Sequence, residues 1–178
     1  MVFLTKGKTF SFKHHTGKAE VRQGMQVWID GDACPARVKE FVYKASARTG
    51  VSVTVVANAA MRIPHSPLIR LVVVSGDFDA ADHHIVAHVT NQDLVITADV
   101  PLASELVDRG VVVINSRGMI YTAENVKDSL SVRNLMQELR GGGLIQGGPA
   151  AYSDKDFNHF ANSFDRELTK LIRKYPVS

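Results

Sequence analysis

Residues 26–41 read QVWIDGDACPARVKEF: a short apolar strand, two aspartates, and then a helix opened by Cys34-Pro35. Proline suits the first helical turn, because the amide it lacks would have no partner there. The helix is expected to run to about Thr49, where Gly50 ends it, and the β-branched run Val51 to Ala57 predicts a second strand. The alternation continues beyond a polar, two-proline loop from Asn58 to Pro67. Leu68 to Ser75 predicts a third strand and Asp79 to Val89 a helix; Asp93 to Thr97 predicts a fourth strand and Val100 to Arg109 a helix closed by Gly110. Val111 to Asn115 predicts a fifth strand, and a longer helix over about Ala123 to Leu139 has Thr122 or Asn125 as its cap. Strands this apolar, with little alternation, are expected to be buried on both faces. Five β units alternating with helices predict an α/β fold: a three-layer α/β/α sandwich around a mainly parallel five-stranded sheet. The order of the strands is not legible in this pattern.

Outside that core the character changes. Residues 140–152, RGGGLIQGGPAAY, hold five glycines and a proline and predict a flexible segment or lid. Ser153 with Asp156 resembles a capping box, and Phe157, Phe160, Ala161, Phe164 and Leu168 follow at helical spacing. A closing helix over 153–174, packed on the sheet or on a partner chain, is expected. Residues 1–24 carry five basic side chains against Glu20 alone, whereas the other 154 residues hold 16 basic and 17 acidic ones. The net charge of +3 thus comes from a basic extension, expected to be disordered or vector-derived, ahead of a single domain over 25–178. A near-neutral domain lacks the extended basic face of a typical RNA binder. No apolar run is long enough to span a bilayer, no secretory signal is evident, and a single cysteine excludes a disulfide framework. A cytoplasmic location without membrane attachment is the expectation.

In a parallel α/β sheet, ligands bind beyond the carboxyl ends of the strands, so the residues just after each strand carry the chemistry. Asp30 and Asp32 follow the first strand, Asp77, Asp79 and Asp82 the third, and Asp99 the fourth. Aspartate also serves as a turn former and N-cap, which would account for Asp79 and for Asp99. It accounts poorly for Asp30 beside Asp32, because neighbouring like charges repel unless a cation lies between them. Mg²⁺ or Mn²⁺ takes oxygen ligands and leaves positions for phosphate oxygens. Asp30 and Asp99 are the expected central ligands, with Asp79 and Asp82 completing the shell and Asp32 as a ligand or an orienting group. Such a set suits phosphodiester hydrolysis, with Asp30, Asp82 and Asp99 as the catalytic carboxylates. Asn58, Asn115 and Arg117, also at strand ends, are weaker candidates for holding substrate, Arg117 as a phosphate grip.

The stretches VWIDGDACP, VTVVAN, DAADHHIV, DLVITADVPLA, INSRGMIY and GGPAAYSDKDFNHFANSFDREL, in this order, resemble the YaiI/YqxD family of bacterial proteins. The resemblance covers essentially everything from Met25 to the last helix. That family is similar to the PIN-like nucleases, which implies a metal-binding acidic site on an α/β/α sandwich and single-stranded RNA as a partner. Thr97, Asp99 and Leu102 match the T-x-D-x-x-L pattern of PIN domains, and Asp30 matches their first aspartate. Thr97 joins the substrate-binding candidates on this basis. Two departures stand out. Gly31 replaces the alanine usual between the first two aspartates, and the early-helix glutamate of PIN nucleases has no secure counterpart, Glu40 lying deep in the helix. Asp77 falls in a short insertion. A homo-oligomer is compatible with all of this.

Rival readings exist. Asp30-x-Asp32 resembles the first motif of haloacid-dehalogenase-type phosphatases, but the lysine that family needs before its last acidic pair is missing. Cys34 at a helix start is conceivable as a nucleophile, although neighbouring aspartates oppose its ionisation and a packing role is expected. His84 and His88, four apart, with His83, suggest zinc, yet no third ligand is evident, and a solvent-facing cluster is expected. The non-enzyme alternative is a nucleotide- or nucleic-acid-binding module that keeps the acidic pocket without turnover.

Overall fold

The computed structural model describes residues 24–177; the basic extension expected at residues 1–24 lies, apart from Gly24, outside them. The elements run β1 (Gln26–Asp30), α1 (Ala36–Thr49), β2 (Ser52–Ala57), β3 (Ile69–Val73), α2 (Ala80–His88), β4 (Leu94–Ile96), α3 (Val100–Asp108), β5 (Val112–Ile114), β6 (Ile120–Tyr121), α4 (Ala123–Gly141) and α5 (Asp154–Lys174). They form one sheet in the order β3-β2-β1-β4-β5-β6. Every pairing is parallel except the last, β5 with β6. The sheet therefore has six strands rather than the five expected from sequence. The extra strand is a two-residue return of the chain, too short to leave a periodic pattern.

Two apolar layers flank the sheet. On one face α1 and α5 bring Val38, Val42, Phe160, Phe164, Leu168 and Leu171 against Val27, Ile29, Val53, Val55, Leu94 and Ile96. On the other, Ala81, Ile85, Leu102, Leu106 and Val126 from α2, α3 and α4 cover Trp28, Val56, Val95 and Val113. This is the three-layer α/β/α sandwich the alternation predicts. The closing helix settles on the sheet beside α1, its start fixed by a capping box in which Ser153 and Asp156 exchange hydrogen bonds. Thr122 and Asn125 do the same for α4, so both candidate cap residues take part.

One expectation needs correcting. β3 is not buried on both faces: Arg70 and Val73 are exposed, because β3 is the edge of the sheet and has no neighbour on its outer side. Burial of a strand depends on its place in the order, which its own residues do not specify.

Asp93, just before β4, is fully buried and accepts hydrogen bonds from the backbone N–H groups of Gln26 and Thr90 and from the Trp28 indole. It ties the start of β1 to the start of β4. Asp93→Ala leaves those buried donors without their acceptor, so a loss of about 3 kcal/mol is expected in urea unfolding. A loss below about 1 kcal/mol would mean that water replaces the carboxylate there.

Candidate acidic site

The strand order reverses between β1 and β4: from β1 the chain goes outward to β2 and β3, then returns to the other side for β4. A crevice opens at such a point beyond the carboxyl ends, and β1 and β4 end on Asp30 and on the Thr97–Asp99 turn. Register brings them level, since Ile29 pairs with Ile96. Thr97 Oγ1 donates to Asp30 Oδ2 at 2.9 Å and accepts from the Asp99 N–H at 3.0 Å. Thr97 is buried and holds the two aspartate-bearing turns together. Asp99 Oδ1 caps α3 by accepting the Leu102 N–H at 2.8 Å, and Leu102 is itself buried in the core. Each residue of the T-x-D-x-x-L pattern thus has a physical task.

A hollow of about 310 Å³ beside this junction is lined by Asp30, Asp32, Asn58, Phe78, Asp79, Asp82, Ala98 and Asp99. The five aspartates expected as ligands therefore share one depression, although they come from three separate strand–helix junctions. Asp79 occupies the N-cap position of α2 but makes no capping hydrogen bond. Helix capping therefore does not account for its side chain. Asp77 and Glu40 do not line the hollow.

Crowding shows in the proton affinities. Asp82 is pushed up to about 7 by burial and by the charges of Asp99, Asp30 and Asp79, with His83 acting weakly the other way. Asp30 is also raised, by burial first and then by Asp99 and Asp32, against the opposing Thr97 hydrogen bond. Each side chain binds its proton more tightly in the fold than in the unfolded chain. Ionisation therefore opposes folding: the stabilisation present at low pH is lost as pH rises from the ordinary carboxyl range through about 7. In EDTA the protein is expected to be more stable at pH 5 than at pH 8, by on the order of 1 kcal/mol once screening of these partly exposed groups is allowed for. Asp82→Asn should remove most of that difference in urea titrations at the two pH values. An unchanged pH response in the variant would show that the crowding lies elsewhere.

Several of these carboxylates also have protein donors. Asp32 Oδ2 accepts the backbone N–H and the side-chain amide of Asn58 at 2.8 and 2.9 Å, so Asn58 positions Asp32. Asp30 is engaged by Thr97 and Asp99 by Leu102. Consistent with this, no three His, Cys, Asp or Glu side chains among the described residues stand as a ready-made coordination set. The donor chemistry nonetheless fits a hard divalent cation, since five aspartates offer carboxylate oxygens to one wall.

Asn115 and Arg117 lie apart from this hollow. Asn115 Oδ1 accepts the N–H groups of Arg117 and Met119, shaping the turn into β6. Arg117 pairs with Asp156 at 2.7 Å, donates to the Ala150 carbonyl and lies over the Tyr152 ring, pinning the glycine-rich segment to the start of α5. Cys34 is buried, and burial pushes its thiol up to about 12, which suits packing and not a nucleophile. His84 and His88 stack 4.1 Å apart and lie against Trp28, so His84 is half-buried where a solvent-facing cluster was expected.

Sequence reasoning missed three neighbours of the site. Lys39 donates to the Gly31 carbonyl at 3.3 Å, while Phe78 and Arg133 border a second hollow of about 290 Å³ that continues past Asp79, Asp82 and Asp99. Lys39 follows the DGDACP stretch closely enough to have been noticed; nothing local marks the other two.

No helix among the described residues is long and apolar enough to cross a membrane. No solved structure matches the chain. Residues 28–170 match the family model described as "Uncharacterized BCR, YaiI/YqxD family". The "UPF0178 protein" of Maridesulfovibrio salexigens is 49% identical over 150 residues, which is 84% of this chain and 99% of that one. Its namesake in Geobacter metallireducens is 50% identical over 155 residues, covering 86% and 100%. The one in Syntrophotalea carbinolica is 49% identical over 148 residues, covering 83% and 100%. With a family model spanning most of its length and relatives this similar over their whole lengths, the chain belongs to the YaiI/YqxD family.

Proposed function

We propose that this protein is a divalent-cation-dependent phosphodiester hydrolase acting on nucleic acid, with single-stranded RNA the first substrate to test. The observation that carries the reading is the shared hollow at the β1/β4 reversal, lined by Asp30, Asp32, Asp79, Asp82 and Asp99, where burial and the charges of Asp99, Asp30 and Asp79 raise Asp82. Asp30, Asp82 and Asp99 would hold Mg²⁺ or Mn²⁺, with Asp79 and Asp32 contributing directly or through water. When bound, the ion would make a coordinated water more acidic and offset charge on the leaving oxygen. The protein's own part is to fix the carboxylates. Thr97 sets Asp30 and the Asp99 turn, Asn58 sets Asp32, and the Leu102 N–H sets Asp99. Without a cation the Asp82 carboxyl is pushed up to about 7, so cation binding there would displace a proton from it near pH 7.

The test is incubation of labelled single-stranded RNA and DNA with the protein in Mn²⁺ and in EDTA. Cleavage that requires the metal supports the reading; intact oligonucleotide in Mn²⁺ would overturn it. A binding module without turnover is the second reading, favoured by the lack of a ready coordination set among the described residues. Oligonucleotide retained but never cut would select it.

A further inference from the structure

Phe78 is 95% exposed, in the turn between β3 and α2. Burying a phenylalanine is worth about 1.5–3 kcal/mol, and a single exposed ring is not rare. Its position makes it informative. Phe78 borders both hollows that hold Asp79, Asp82 and Asp99. Arg133 of α4 borders the second of those hollows as well. Arg37, Arg48, Arg109, Arg117 and Arg166 each pair with a carboxylate, whereas Arg133 makes no ion pair among the described residues and donates only to Gln137 Oε1 at 3.3 Å. The charges acting on Asp82 are its fellow aspartates and His83. The guanidinium is left with its charge uncompensated beside an acidic depression.

An aromatic face and an unpaired cation bordering a common hollow match the two faces of one ligand class. Single-stranded nucleic acid offers unpaired bases that stack on aromatic rings and phosphates that take guanidinium hydrogen bonds. A duplex would keep its bases stacked on one another and unavailable to the ring. Arg133 also borders a groove of about 970 Å³ along α4, walled by Met119, Val132, Met136 and Ile145, which gives a strand leaving the pocket an apolar wall for its next base. We infer that Phe78 and Arg133 are a strand-binding pair, in which a base stacks on the Phe78 ring while Arg133 holds a neighbouring phosphate, so that the backbone between them passes over the aspartates. The inference rests on reading the acidic hollow as a phosphodiester site and supplies the contacts that the near-neutral domain otherwise lacks.

Binding can be followed by fluorescence anisotropy with a labelled oligoadenylate of about twelve residues, as RNA and as DNA, in Ca²⁺. Phe78→Ala is expected to weaken binding about tenfold and Phe78→Trp to preserve it, because stacking needs a ring and tolerates a different one. Arg133→Gln is expected to weaken binding and to lower the slope of log affinity against log salt by about 0.7, one phosphate contact on a single strand, while Phe78→Ala leaves the slope unchanged. Wild-type affinity in both Phe78→Ala and Arg133→Gln would overturn the inference, as would a wild-type protein that does not bind. So would sedimentation showing that Phe78→Ala or Val132→Lys instead dissolves a homodimer built on this face. Cleavage in Mn²⁺ is scored separately. Binding lost in the variants with no cutting by any of them sinks the hydrolase and keeps the strand-binding pair; cutting with unchanged KM in both variants does the reverse.

Discussion

Asp30→Asn and Asp99→Asn are each expected to lower Mn²⁺-dependent cleavage of single-stranded RNA by more than about 100-fold, the upper end of what losing an outer-shell partner costs. The substitutions are chosen so that the fold survives. Asparagine keeps an oxygen that accepts the Thr97 hydroxyl at position 30, and it is as good a helix N-cap as aspartate for the Leu102 N–H at position 99. Each change also removes one of the like charges that raise Asp82, so the metal-free variants should be no less stable than wild type at pH 8. Activity lost with stability kept is the signature of a ligand. Full activity in either variant would remove that carboxylate from the site, and a parallel fall in stability would assign it a structural task instead.

The second large effect is on stability. Gly118→Ala is expected to cost about 3–5 kcal/mol in urea unfolding, because strain at a left-handed backbone position adds to a clash that cannot be relieved cheaply. Gly118 has φ +89° in the turn between β5 and β6, and a Cβ built there would stand 2.5 Å from His159 C and 2.6 Å from Phe160 N. Those atoms are helix backbone and have no rotamer to change. α5 would have to retreat, drawing Phe160 and Phe164 out of the core they share with α1. The same turn receives the Tyr152 hydroxyl on the Ser116 carbonyl and His159 on the Arg117 carbonyl, so displacement would loosen the whole C-terminal arm. A cost below about 1 kcal/mol would show that the helix stands further from the turn than the structure places it.

This contact also marks what the sequence discloses. INSRGMIY and the stretch from GGPAAY to DREL both carry the family resemblance, and in the fold they touch: Arg117 meets Asp156, and Gly118 lies under the His159–Phe160 backbone. Neither motif by itself names its partner, because a glycine that admits a helix looks the same as a glycine that makes a turn. The parallel architecture was legible, since β-branched runs separated by helical spacing leave few alternatives. The aspartates were legible because strand ends in such a sheet converge wherever the order reverses, even when the order itself is hidden. Lost were features decided by neighbours far along the chain: β3 as an edge, the two-residue β6, Arg117 diverted to Asp156, and Phe78 and Arg133 facing a common hollow. Gly31 shows the same coupling. A Cβ there would come within 2.7 Å of Val55 Cγ1, so the residue between the two aspartates must match a side chain on the next strand.

Calorimetric titration of the metal-free protein with Mn²⁺ asks most directly whether carboxylates from separate strand ends share a cation. Saturable binding to the wild type that disappears in the Asp30→Asn, Asp99→Asn double variant is the expected result. A wild type that takes up no Mn²⁺, or a double variant that binds it undiminished, would contradict the shared site and leave only the α/β framework standing.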